Sequence, residues 1–164
     1  MKKFFSVIAL LLIVNGYSQA KLELTPQGFH PIEIDRSGRT NEEIIDASKI
    51  WASEYRHEQP SVFEVTPSSL KISAQRNNAF FYRNIGEEFY CRIDYTMAVS
   101  FTDTKIRIAF TVNEIYERNV RKELELSDYF TSDGKIKQDF RDIKPSIERT
   151  VNNLINSYIG YISG

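Results

Sequence analysis

The single cysteine, Cys91, is the side chain of this sequence with the greatest chemical reactivity. A catalytic cysteine needs a base such as histidine within hydrogen-bond distance, and the chain has two histidines, His30 and His57. Cys91 alternates with Phe89 and Ile93 in a run with strand periodicity, so its side chain is expected to point into the core. The sequence therefore predicts a buried, unreactive thiol. One cysteine also excludes an intramolecular disulfide.

Glu54 and His57, with Glu58 beside them, form the only arrangement that suggests a metal site. Residues three positions apart lie on one face of a helix and could share a metal ion. Dinuclear carboxylate sites need a second such pair, and the other histidine, His30, stands before Pro31 near the N-terminus. We therefore predict a solvated helix end at these residues, with no metal and no cofactor.

The sequence lacks the glycine motifs of serine hydrolases and of phosphate-binding enzymes. There is no Gly-x-Ser-x-Gly and no phosphate-binding Gly-x-Gly. The adjacent carboxylates Glu87 and Glu88 could transfer protons, but adjacency along the chain does not define a site. We predict a non-enzymatic protein. The alternative is an envelope hydrolase or metal-dependent enzyme whose site residues the sequence does not identify.

The N-terminal segment, residues 1–20, has the pattern of a secretory signal peptide. Lys2 and Lys3 precede an apolar run, and small residues stand at Ser18 and Ala20. The run is shorter than the roughly 20 residues that a membrane-spanning helix needs, although an uncleaved anchor is the alternative. We expect cleavage after Ala20, no lipid anchor, no remaining membrane span, and a periplasmic or secreted mature protein.

The mature chain, residues 21–164, carries more acidic than basic side chains. Without Lys2 and Lys3 it has 19 basic and 22 acidic residues, a net charge of −3. The densest basic cluster, Arg118, Arg121 and Lys122, is flanked by glutamates, so we interpret it as a solvated loop edge, with an anion site as the alternative. Nucleic-acid binders obtain most of their affinity from phosphate neutralisation. We therefore expect no nucleic acid among its partners, which would be an unidentified envelope protein or ligand.

Hydrophobic periodicity predicts a single α+β domain over residues 21–164. A helix is indicated after Thr40, which forms a capping box with Glu43. The predicted elements are a strand at 32–35, this helix up to Pro60, a hairpin of 62–66 and 70–76, a long hairpin of 89–101 and 106–112, a charged loop at 117–134, and a C-terminal helix with Pro145 in its first turn. We predict a two-layer fold of β-α-β4-α order, with a five-stranded antiparallel sheet and both helices on one face.

The long hairpin has one apolar and one polar face. The apolar sets fall on the same side of the sheet if Phe101 pairs with Ile106, or with Thr104 around a two-residue turn. The opposite face has charged ends and a centre of small side chains, which would let another surface approach closely. A plain solvated sheet face is the alternative. The predicted interaction surface comprises Arg92, Asp94, Thr96, Ala98, Arg107, Ala109 and Thr111.

The segment "AFFYR" adds Phe81 and Tyr82 to this predicted surface. Its three consecutive aromatic residues cannot all lie on one side of a regular strand. We therefore interpret it as a connection of undefined form that packs over one end of the core, with a binding loop that contains Phe81 and Tyr82 as the alternative.

Taken together, four segments resemble a family of exported bacterial domains. They are the signal peptide, the helix "TNEEIIDASKIWASEY", the hairpin "VFEVTPSSLKISA" and the ladder "RIDYTMAVSFTDTKIRIAFTVNEIY". That family is described as a domain of unknown function with a TATA-binding-protein-like (TBP-like) fold. The resemblance implies the same β-α-β4-α fold, but no activity and no catalytic residue.

Overall fold

The computed structural model of the protein describes residues 21–55, Glu58 and residues 60–164. The predicted signal peptide, residues 1–20, lies outside the described residues. Eight strands are described: β1 (Leu24–Thr25), β2 (Gly28–Phe29), β3 (Ile32–Asp35), β4 (Ser61–Thr66), β5 (Ser69–Asn84), β6 (Glu87–Phe101), β7 (Lys105–Glu117) and β8 (Val120–Lys122). Helix α1 is Asn41–Glu54, helix α2 is Ile143–Ser163, and two short 3₁₀ helices are Leu126–Tyr129 and Gln138–Phe140.

The main sheet is antiparallel, and it has six strands in the described part of the chain, where the sequence pattern predicted five. Five strands follow the order β3-β7-β6-β5-β4. β8 pairs with the C-terminal end of β7, along the same edge whose N-terminal end pairs with β3. Strand β8 falls in the segment predicted to be a charged loop. Arg118 and Asn119 both have positive φ, 48° and 65°, so the chain reverses within two residues and Val120 pairs with Glu117. β1 and β2 form a separate small hairpin.

Strand β5 has 16 residues, more than twice the length of the predicted strand 70–76, because the aromatic connection is part of it. A register shift between Arg76 and Phe80 interrupts its pairing with β6, and Asn78 there has φ of 49°. This bulge lets the strand continue to Asn84 after the alternation seen in the sequence has broken down.

The long hairpin has the first of the two predicted registers, with Phe101 paired to Ile106. A second bulge lies further along it, where Asp94 pairs with Glu114 but Tyr95 pairs with Val112. The extra residue, Asn113, shifts the alternation of β7 by one position. Ile115 consequently returns to the buried side.

Both helices cover one face of the sheet, as predicted. The capping box of α1 is confirmed, since the backbone N–H of Glu43 donates to Thr40 and the Glu43 carboxylate accepts from the backbone N–H of Thr40. This helix ends at Glu54, before the predicted stop at Pro60. Pro145 lies in the first turn of α2, where a missing N–H removes no helical hydrogen bond.

Aromatic contacts join neighbouring elements within each layer of the core. Tyr95 stacks on Phe110 with ring centroids 4.9 Å apart, and Trp51 meets Tyr158 edge to face at 5.2 Å. The Tyr158 hydroxyl lies 2.8 Å from that of Ser48, so the buried polar groups satisfy each other.

Residues at the start of the described chain dock along α2. The Asn152 amide accepts from the backbone N–H of Leu22 at 2.8 Å and donates to its carbonyl at 2.9 Å. Leu22 and Leu24 are fully buried. Within the described residues, no helix combines the length and apolar character that crossing a bilayer requires.

Candidate functional site: the open face of the sheet

The face of the sheet opposite the helices, which we call the open face, has small side chains at its centre. Thr96 pairs with Thr111 and Ala98 pairs with Ala109 across β6 and β7. Directly paired residues project to the same side of a sheet, and the residues between them, such as Met97, are fully buried beneath the helices. The predicted parity of the long hairpin is therefore confirmed.

A shallow depression of about 500 Å³ lies on the open face beside the turn between β4 and β5. Ala98 and Ala109 form part of it, and Val65, which is 45% exposed, borders it. Lys71 and Arg107 stand at its sides. The depression thus offers an apolar centre with flanking polar groups.

Most charged side chains of the open face are already paired with neighbours. Such pairs are surface ion pairs of small stability value, but they leave the face close to electrically neutral. The pairs are Lys71–Glu64 at 2.5 Å, Lys105–Asp35 at 2.5 Å, Arg107–Glu33 at 3.5 Å and Arg121–Glu114 at 3.1 Å.

The positively charged side chain of Arg92 lies flat against this face. Its guanidinium lies 4.0 Å from the centroid of the Tyr116 ring, and its Nε is 3.8 Å from a carboxylate oxygen of Asp94. The Tyr116 hydroxyl donates to Glu114, which raises the pKa of Tyr116 above its ordinary value. This end of the face therefore carries Arg92 stacked on Tyr116 and Tyr116 hydrogen-bonded to Glu114.

The structure separates the two aromatic residues that the sequence analysis grouped in one candidate binding loop. Phe81 pairs with Tyr90 on the open face, with ring centroids 5.6 Å apart. Tyr82 points to the helix side, where it stacks on Phe89 at 5.2 Å and donates to Glu117 at 2.9 Å. Tyr82 does not belong to the open face, and for this residue the interpretation of packing at the end of the core was right.

Cys91 is 1% exposed, as predicted from its strand parity. Burial, reinforced by the negative charge of Glu117, raises the pKa of the Cys91 thiol to about 12. The thiolate, which is the nucleophilic form, is therefore disfavoured at neutral pH.

The environment of Glu58 differs from the prediction, which placed this residue at a solvated helix end. Its side chain is 2% exposed and forms an ion pair with Arg76. The Tyr95 hydroxyl donates to the Glu58 carboxylate at 3.2 Å, and burial together with that negative charge raises the pKa of Tyr95. The pairing lets a carboxylate remain buried where the sequence suggested solvent exposure. His57, the other half of the suggested metal pair, lies outside the described residues.

The sequence analysis missed several residues of the open face. Lys71 pairs with Ala98 and Ser73 with Thr96, and the alternation of Leu70 and Ile72 in β5 could have placed both of them there. Tyr116 could not have been found in the same way, because its position depends on the bulge at Asn113.

Comparisons with known proteins support the fold. No family model matches the chain, and no curated protein matches it. A DUF4468 family protein from Bacteroides ovatus superposes with a TM-score of 0.62 at 9% identity, covering 82% of this chain and 85% of that one. A TBP-like protein from Parabacteroides distasonis superposes with a TM-score of 0.55 at 14% identity, covering 82% of this chain and 92% of that one. The resemblance to domains of unknown function with a TBP-like fold is thus confirmed at the level of the fold.

Proposed function

We propose that the protein is an exported, non-enzymatic binding or structural module of the cell envelope, and that its open face is the surface that contacts a partner. The observation that carries this proposal is the combination of an alanine and threonine centre with an apolar depression on a face that no described element covers. Small side chains allow close approach of another surface, whereas long polar chains would hold it away.

The paired charges of the open face favour an uncharged surface of a protein or another ligand over a polyanion. Lys71, Arg107 and Arg121 each have a carboxylate partner within the protein. A nucleic acid would have to compete with those carboxylates for each contact, whereas a neutral surface would leave the pairs in place at the rim.

The test is recovery of envelope proteins by the immobilised mature protein and by its Ala98→Arg variant. A long charged side chain at this position should block the central patch and abolish recovery of a specific partner. Asn153→Arg places the same side chain on the exposed surface of α2, away from the sheet, and should leave recovery unchanged. Equal recovery with both variants would contradict the proposed use of the open face.

Export can be tested separately. Mass spectrometry of the protein from its native host should find Lys21 as the mature N-terminus in the envelope or medium. The intact Met1 form in the cytosol would contradict export without bearing on the open face.

A further inference from the structure

The outer edge of β7 is paired at both ends and unpaired in the middle. β3 pairs with residues 105–108 of β7, and β8 pairs with residues 115–117. No described strand pairs with residues 109–114 on this side. At about 3.4 Å per residue, the unpaired stretch is roughly 20 Å long.

The hydrogen bonds on either side of β7 indicate which backbone groups face this gap. The Thr104 carbonyl accepts from Arg36 at 3.0 Å, on the β3 side, whereas the Lys105 carbonyl accepts from Thr102 at 2.9 Å, on the β6 side. In an antiparallel ladder the N–H and C=O of one residue point the same way, and successive residues alternate. Even-numbered residues up to the bulge therefore direct both groups outward.

By this alternation, Phe110 and Val112 direct their N–H and C=O groups into the gap, where no strand pairs with them. The bulge at Asn113 then shifts the alternation, so that Ile115 and Glu117 face β8 and pair with it. The unpaired groups are thus confined to a short stretch bounded by a bulge.

A cleft of about 410 Å³ lies against this stretch. The turn of the β1–β2 hairpin forms one wall, residues 124–127 form the other, and Phe110–Ile115 of β7 line the cleft between them. Phe29 and Leu126 are buried, but Leu124 is 42% exposed. A chain entering the cleft would therefore meet apolar side chains as well as backbone groups.

The two charged residues that line the cleft are both acidic. Glu114 is paired with Arg121 at 3.1 Å. Glu125 forms no ion pair within the described part of the chain. A bound segment would consequently be favoured by a positive charge beside Glu125.

We propose that this cleft binds a short extended peptide segment of a partner protein, which adds to the sheet as a strand antiparallel to β7. The geometry sets the chemistry of the peptide: backbone groups opposite Phe110 and Val112, an apolar side chain toward Leu124, and a lysine or arginine toward Glu125. Such strand addition takes affinity from main-chain hydrogen bonds and specificity from alternate side chains. The site lies at the edge of the sheet, whereas the contact proposed for the open face is centred on Ala98 and Ala109.

Amide exchange measured by NMR on the mature protein provides the first test. The Val112 amide should exchange faster than that of Thr111, which faces β6. A set of hexapeptides of the type Lys-Val-Thr-Val-Thr-Lys, with Val, Leu or Thr at the inner positions, should slow exchange of the Phe110 and Val112 amides at millimolar concentration. Slow exchange at Val112 in the free protein, or no protection by any of these peptides, would overturn the proposal.

N-methylation of the bound peptide separates strand addition from simple side-chain binding. Methyl groups on one alternate set of peptide amides should weaken binding by about tenfold or more, since that set donates the main-chain hydrogen bonds to β7, and methyl groups on the other set should have little effect. Equal effects of both sets would contradict strand pairing.

Glu125→Lys should weaken binding of the lysine-flanked peptide, whereas Glu123→Lys, an exposed neighbour outside the cleft, should not. Equal weakening by the two variants would contradict the assigned role of Glu125.

Discussion

The turn between β5 and β6 contains an isoleucine in a backbone conformation that β-branched residues rarely adopt. Ile85 and Gly86 have φ of 49° and 82°, and they connect the paired residues Asn84 and Glu87. Positive φ at both central residues is the signature of a type I′ turn, in which Asn-Gly is preferred. The left-handed region disfavours an ordinary L-residue by roughly 1–2 kcal/mol. Since Ile85 is 98% exposed, its side chain gains no burial in return.

We therefore predict that Ile85→Asn increases the free energy of unfolding by about 1 kcal/mol, because asparagine tolerates the left-handed region and no packing is lost. Urea denaturation of the mature protein should show a higher midpoint with an unchanged slope, and the melting temperature should rise by about 3 °C.

Two variants at the same position serve as controls for this prediction. Ile85→Val keeps the β-branched side chain and should leave stability within about 0.5 kcal/mol of wild type. Ile85→Gly should gain less than asparagine, because glycine loses about 0.5–1 kcal/mol more conformational entropy on folding. A lower stability of Ile85→Asn would refute the reasoning, since it would mean that the isoleucine side chain packs in the folded protein or that the turn is not left-handed.

Three further predictions concern the faces and the buried groups of the sheet. Met97→Arg should unfold the domain by placing an unpaired charge in the core, whereas Ala98→Arg should change the free energy of unfolding by about 0.5 kcal/mol at most. Thermal denaturation of both variants tests this, and the reverse result would mean that the two faces of β6 are exchanged. A thiol reagent should label Cys91 only in denaturant, because burial raises the pKa of the thiol to about 12, and rapid labelling of the native protein would contradict this. Burial and the hydrogen bond to Glu117 raise the pKa of Tyr82 from 10.0 to about 12, so this tyrosine favours folding below pH 10 and its contribution is lost between about pH 10 and 12. Urea denaturation should show the free energy of unfolding falling in that pH window, and falling less in Tyr82→Phe. An identical pH profile for both proteins would count against this role of Tyr82.

Where alternation along the chain was uninterrupted, the sequence was sufficient to predict the structure. Cys91, Met97 and Ala98 lie on the expected sides because one periodic run spans all of β6, and a shift of one residue would have exposed every apolar side chain. The capping box at Thr40 was equally reliable, because its hydrogen bonds join residues three positions apart.

The sequence analysis was wrong where geometry depends on residues far apart in the chain. The bulge at Asn113 shifts the alternation of β7 by one residue, the bulge near Asn78 inserts two residues into β5, and no turn motif in the sequence marks either of them. The stacking of Arg92 on Tyr116 follows from the bulge at Asn113, and β5 continues to Asn84 beyond the other bulge, where Tyr82 keeps the parity of Leu70 and Ile72. Likewise, the buried carboxylate of Glu58 pairs with Arg76 of β5 and accepts a hydrogen bond from Tyr95 of β6. The residues next to Glu58 in the sequence could not have revealed this environment.

The claim that a partner contacts the open face is tested most directly by photocrosslinking in the native host. A photoreactive phenylalanine derivative would replace Ser100, an exposed residue at the edge of the depression, and in a second strain Asn153 on the outer surface of α2. The proposed function predicts a discrete crosslinked partner from position 100 and none from position 153. Crosslinks confined to position 153, or none from position 100, would contradict it.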